Sequence, residues 1–181
     1  EPGAAFEFAY FPTTAIVALI LGTDRGASAE LAMTGNDGLV GIQLVLGGAS
    51  TRFAMTVQSG GEAWRLRAEV VDRERGQGAD LQRLSLCYAQ ALMTQMAQSV
   101  VCNRHHAVDQ QLCRFLLLSL DRLPDNQIHL TQELIGSMLG VRREAVTEAA
   151  GKLQAAGLIQ YSRGLIKVVD RPGLEARACE C

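Results

Sequence analysis

LTQELIGSMLGVRREAVTEAAGKLQAAGLIQYSRGLIKVVD, residues 130–170, holds two helical patterns and one hairpin pattern in close succession. Ile135 and Leu139 are spaced to face one core, and Gly136 is small where two helices would cross closely. Gly140 stands at the tight turn, where a positive φ is cheap only for glycine. Val141, Val146 and Ala149 supply the inner face of a second helix over residues 142–156. A small residue at the crossing, a glycine in the turn and apolar residues at those five positions make a helix-turn-helix pattern. Thr131 suits the N-cap of the first helix, and Gly157 closes the second as its C′ residue. Residues 158–161 and 165–169 read as strands around Ser162-Arg163-Gly164, a hairpin wing.

With Val146, Ala149 and Leu153 inward, the second helix turns Arg142, Arg143, Glu144, Thr147, Glu148 and Lys152 outward. The first turn of such a helix is where base edges are touched in the major groove. Arginine there pairs bidentately with guanine, and glutamate accepts from cytosine. Thr131, Gln132, Ser162, Arg163 and Lys167 are the candidates for phosphate contact, which sets register rather than sequence. The alternative is that this is simply a solvated charged face.

Upstream, residues 81–103 read as one long helix with Asp80 as its N-cap. Leu81, Leu84, Tyr88, Leu92 and Met96 recur at three- and four-residue steps and form one stripe, which Val100 can extend. That stripe packs either on its own domain or on the same stripe of a second chain, and the second is expected. Residues 108–123 continue as helix until Pro124-Asp125-Asn126. The first 75 residues read as β: alternation at Phe6, Phe8 and Tyr10, an apolar run over 15–21, then strands at 28–34, 39–46, 51–58 and 63–66. Glycine turns separate them, which suggests an antiparallel sandwich or roll. A hinge-like break is expected at Gly76-Gln77-Gly78. The fold class is therefore α+β: a jelly-roll-like antiparallel β-roll over 1–77, a long helix over 78–104, and a winged helix-turn-helix over 105–181.

Hydrophobic residues make up 48% and charged residues 20% of the 181, the balance of a globular protein. Net charge is −2, but residues 1–80 carry six basic and ten acidic side chains, while 81–181 carry eleven and nine. Phosphate neutralisation thus belongs to the second half. No apolar run approaches a membrane span and no secretory signal is visible, so a cytoplasmic protein is expected. The five cysteines include no CxxC pair and read as buried or incidental thiols, with no metal site. Side chains of the adjacent His105 and His106 point apart on a helix, so the pair reads as a polar hinge. No Ser/His/Asp spacing, phosphate-cradling glycine loop or zinc-type set marks an enzyme.

Residues 130–170 resemble the winged helix-turn-helix of the Crp/Fnr superfamily of bacterial transcription regulators. Arg143-Glu144 matches the Arg-Glu pair near the start of that family's recognition helix. The order roll, long helix, winged domain is also the family's. EPGAAFEFAYFPTTAIVALI resembles the middle of the family's roll, so earlier strands are expected to precede it. The resemblance implies a homodimer reading a near-palindromic operator under control of a signal in the roll. It implies double-stranded DNA, a second copy of the chain and RNA polymerase as partners, with no membrane. The alternative is a ligand-sensing or protein-interaction module whose winged helix no longer binds DNA.

Departures from the family pattern change the expected ligands. Arg142 stands where the family's recognition helix often has Ser or Thr, and Glu148 where many members have Arg. Members that bind cyclic nucleotides carry a Gly-Glu pair for the ribose and an arginine for the phosphate. Here that stretch is Gly41-Ile42-Gln43, with Arg52 as the one candidate effector-binding residue. Cyclic nucleotide is not expected, and no cofactor is identified. Oxygen-sensing members hold an iron–sulfur centre with N-terminal cysteines, and no cysteine precedes Cys87 in this sequence.

Overall fold

Strands that alternate apolar and polar residues bury one face, and the first third of the chain does so in antiparallel pairs. The computed structural model describes residues 2–181, at 76, 77 and 79 the backbone only. In it β1 (Phe8–Pro12) pairs with β5 (Ala63–Arg67), Phe8 opposite Arg67. β2 (Ile16–Gly22) lies between β3 (Ser28–Thr34) and β4 (Ala54–Ser59), with a bulge at Ile16/Val17. Ala9, Leu19, Ala32, Leu39, Ile42 and Val45 form the roll's core, closed by Val71, Ala89 and Leu92.

Two segments expected as β are helical. Within 39–46 the chain forms α1 (Ile42–Leu46), bracketed by Gly41 at φ 95° and Gly47 at φ 89°. Left-handed glycines at both ends stop a strand, and Ile42 and Val45, three apart, are both buried. Residues 68–75 belong to α2 (Ala68–Gln77), a run of good helix formers that buries Val71. The expected break at 76–78 comes at its end, where Gly78 leaves the helical conformation.

The long helix is present as α3 (Ala79–His105). Leu92 is buried in the roll's core, and Tyr88 and Met96 pack against the same cluster. The Tyr88 hydroxyl lies 2.6 Å from Thr34 Oγ1, and Gln95 Oε1 accepts from the Met33 amide at 2.7 Å. Tyr88, Leu92 and Met96 thus cover their own roll, whereas Leu81 is half-buried and Leu84 is exposed. A different apolar line is exposed along α3: Leu86 (52%), Met93 (64%) and Val100 (62%), each seven residues from the next.

Packing divides the chain into residues 1–21 with 31–97, and residues 22–30 with 98–181. The division falls inside α3. The second unit contains α4 (Val108–Leu120), β6 (Gln127–His129), α5 (Gln132–Leu139), α6 (Arg143–Ala155), β7 (Ile159–Ser162), β8 (Leu165–Val168) and α7 (Arg171–Arg177). Its antiparallel sheet has the order β6-β8-β7. Leu112, Leu116, Ile135, Met138, Val146, Leu153, Ile166 and Leu174 fill its core, each burial contributing about 1.5–3 kcal/mol. β6 and α7 arise where the sequence reading placed no element. Asp170 caps α7 by accepting from the Gly173 amide, and the pairs Arg171–Asp121 and Arg177–Asp109 fasten it to α4.

Glu30 is the odd acid of this unit. Its Oε2 is shut off from water and has no hydrogen-bond partner among the described residues. Burial raises its carboxyl pKa from 4.5 to about 7, against the pull of Arg114 and Arg122. The folded chain therefore holds a proton that the unfolded chain has released, and stability must fall as pH rises from about 4.5 to about 7. Glu30→Gln is expected to remove that slope. Urea midpoints should show wild type losing on the order of 2–3 kcal/mol relative to the variant across the window, and parallel profiles would refute it.

Candidate nucleic-acid interface

The α5–α6 crossing is set by backbone, not by side chains. A Cβ on Gly136 would sit 3.0 Å from the Val141 carbonyl oxygen, and the Val141 amide donates to the Gly136 carbonyl at 2.9 Å. Gly140 turns the chain at φ 69°. The end of α6 is a Schellman closure: the amide of Leu158 reaches the Leu153 carbonyl and that of Gly157, at φ 74°, the Gln154 carbonyl. Both ends of α6 are thus held, and Val146, Ala149, Ala150 and Leu153 are buried beneath it.

Its other side is free. Arg142, Arg143, Glu144, Thr147, Glu148 and Lys152 are all exposed. Arg142 is the N-cap residue in extended conformation and makes no side-chain cap, while its carbonyl accepts from the Ala145 amide at 3.0 Å. Glu148 and Lys152 engage each other at 2.8 Å, and that bond raises the Lys152 pKa. Gly151, also on the outer side, has nothing within 4 Å of where a Cβ would lie, so a partner's backbone can approach closely there.

Beside the start of α6 lies an open depression of about 480 Å³. Thr131, Gln132, Arg143, Ser162 and Arg163, five of the candidate residues, line it together with Glu133, Tyr161 and Gly164. Thr131 Oγ1 caps α5 by accepting from the Leu134 amide. Gln132 Oε1 accepts from the Thr147 hydroxyl at 2.7 Å, tying the start of α5 to the face of α6. Tyr161, not foreseen from the sequence, donates to the Leu130 carbonyl at 2.8 Å and so locks the wing to the start of α5. Burial raises its hydroxyl pKa although Arg143 acts in the opposite direction. Sequence reading missed it because its use depends on β6, which is too short to leave a periodic signal. A second hollow of about 290 Å³ is lined by Gly26, Ala27 and Ser28 together with Glu133, Gly140 and Arg143.

The wing turn is a two-residue hairpin loop, Arg163 and Gly164, between the paired Ser162 and Leu165. Both loop residues have positive φ, 50° and 81°, as a type I′ turn requires. Arginine in that conformation costs about 1–2 kcal/mol. The turn thus holds an exposed cation, Arg163, at the tip of the wing. Arg52, the effector candidate, lies exposed in the bend before β4. Cys102, Cys179 and Cys181, expected as buried or incidental thiols, and His106, expected as part of a polar hinge, converge in the second unit with donor atoms within 4.8 Å of one another.

Residues 110–177 match the family model of the Crp-like helix-turn-helix domain. No curated protein matches the chain in sequence. Its fold is that of the CRP/FNR regulators. FixK2 from Bradyrhizobium japonicum superimposes with a TM-score of 0.84 at 17% identity, over 99% of this chain and 91% of that one. A CRP-family transcriptional regulator from Thermus thermophilus gives 0.78 at 16% identity, over 98% and 90%. The c-di-GMP-responsive global regulator CLP of Xanthomonas campestris gives 0.68 at 14% identity, over 93% and 87%. Among the described residues no helix is long and apolar enough to cross a membrane.

Arg163→Asn tests the wing. Asparagine tolerates left-handed backbone, so the variant should gain about 1 kcal/mol in urea denaturation. A loss of stability would show that Arg163 holds the turn rather than straining it.

Proposed function

We propose that the chain is a sequence-specific DNA-binding transcription regulator that works as a homodimer. The observation that carries this reading is the joint placement of two kinds of group. Arg142, Arg143 and Glu144 stand exposed at the start of α6, and the neighbouring depression gathers Thr131, Gln132, Ser162 and Arg163. The first set has the chemistry to read base edges, arginine toward guanine and glutamate toward cytosine. The second has the chemistry to hold the flanking phosphates and set the register. The Gln132–Thr147 hydrogen bond keeps the two sets in fixed relation.

The dimer uses α3 with its faces exchanged relative to the sequence reading. Tyr88, Leu92 and Met96 are engaged with the roll, so the partner helix meets Leu86, Met93 and Val100 instead. Apolar residues seven apart recur on the same side of a helix and can supply one of the two apolar positions per heptad of a paired-helix seam. Two α6 helices would then enter successive major grooves about 34–36 Å apart, on a near-palindromic operator. A signal received in the roll would act by favouring one of two arrangements of the pair, which requires different affinity for each.

Selection of bound duplexes from a random DNA pool tests this directly. Two inverted half-sites one helical turn apart are expected, and no enrichment would leave the winged domain as a protein-binding module. Arg143→Ala should relax preference at one base pair and cost about 1–3 kcal/mol, whereas an equal loss on every sequence would make Arg143 a phosphate contact. Met93→Glu should turn the dimer into a monomer in analytical ultracentrifugation, with the roll still folded. An unchanged dimer would put the interface elsewhere.

A further inference from the structure

Cys102 lies in the last turn of α3, and His106 directly follows the helix with its amide donating to the Cys102 carbonyl at 3.1 Å. α7 is followed by Cys179-Glu180-Cys181. Leu174 is fully buried, and the Arg171–Asp121 and Arg177–Asp109 pairs hold α7 on α4. That docking delivers the two later cysteines to the end of α3. Cys102 Sγ lies 3.5 Å from Cys179 Sγ, and Cys181 Sγ lies 3.6 Å from His106 Nδ1. All four donor atoms lie within 4.8 Å of one another.

We propose that Cys102, His106, Cys179 and Cys181 bind one zinc ion. Zinc takes tetrahedral sets of sulfur and imidazole nitrogen with bonds of about 2.0–2.3 Å, which puts neighbouring donors about 3.3–3.8 Å apart. Two donor contacts, 3.5 and 3.6 Å, match edges of such a tetrahedron, and the remaining four pairs lie within 4.8 Å. A set of three sulfurs and one nitrogen without oxygen excludes magnesium and calcium as natural occupants. The separations also leave space for a single ion and not for several irons with bridging sulfides.

The surroundings fit as well. His106 offers Nδ1 to the cluster while its Nε2 lies 3.3 Å from Glu180 Oε1, so a carboxylate orients the ring as it does for most metal-bound histidines. Gln111 Nε2 donates to the His106 carbonyl at 2.9 Å and fixes the backbone there. Binding releases three thiol protons to solvent, takes the lone pair of a neutral imidazole and changes no oxidation state. The four residues lie outside the stretch that matches the Crp-like domain, so this site is an addition to it. Its physical effect is to clamp the segment after α7 onto the last turn of α3.

The full chain, purified in reductant and stripped with a chelator, is titrated with cobalt and then zinc. Wild type should develop the visible bands of tetrahedral thiolate-bound cobalt, lose them to zinc, and release about one zinc per chain when a mercurial blocks its thiols. Cys179→Ser combined with Cys181→Ser should abolish both signals and keep the far-ultraviolet circular dichroism, because α7 is docked by other contacts. His106→Ala should abolish the tetrahedral spectrum, whereas His105→Ala and Cys87→Ser should retain it. Glu180→Gln should weaken zinc by about 10–100-fold. Overturning results are no uptake by the reduced wild type, uptake unchanged in the double serine variant, iron with acid-labile sulfide in place of zinc, or a Cys102–Cys179 disulfide that persists in reductant.

Discussion

Close approach of two backbones at Gly136 is the constraint on which the interface depends. The Val141 carbonyl occupies the space that any side chain at 136 would need, and Gly140 makes the turn between them in a conformation that suits glycine. Helices meeting at backbone distance have little freedom in their crossing angle. The side of α6 that faces outward is therefore settled before its charged residues are considered. Arg142 and Arg143 reach solvent because Val146, Ala149 and Leu153 cannot.

The features legible in the sequence were those built from neighbours along the chain. The helix-turn-helix depends on spacings of at most a few turns, and the wing on one dipeptide loop, so residues 130–170 carried their own structure. The roll's strands are equally local, apart from residues 68–75, which fold as α2, and α1, where two left-handed glycines override the β-branched residues between them. Tyr161 and the Gln132–Thr147 bond were hidden because they join segments through a three-residue strand and a turn that leave no period.

α3 shows a different limit. Two apolar stripes interleave on one helix, Tyr88–Leu92–Met96 at four-residue steps and Leu86–Met93–Val100 at seven. The four-residue stripe is the one legible from the sequence, and periodicity does not say whether it meets the roll or a second chain. The hydroxyl contact of Tyr88 with Thr34 and the burial of Leu92 decide it. The Cys/His cluster was hidden for a related reason: its donors come from two segments more than seventy residues apart. Cys102 and His106 one turn apart, and Cys179 and Cys181 one residue apart, were the available signals. Neither pair has the familiar two-residue spacing, and only the docking of α7 brings them together.

The central claim is that the exposed side of α6 and the wing meet the phosphates and bases of a duplex. The dependence of affinity on salt measures this most directly, because each neutralised phosphate releases counterions. The account predicts that the logarithm of the association constant for a selected duplex falls linearly and steeply with the logarithm of salt concentration, and less steeply once Arg163 is replaced by Asn. Affinity that stays level as salt increases, or a slope indifferent to Arg163, would contradict it.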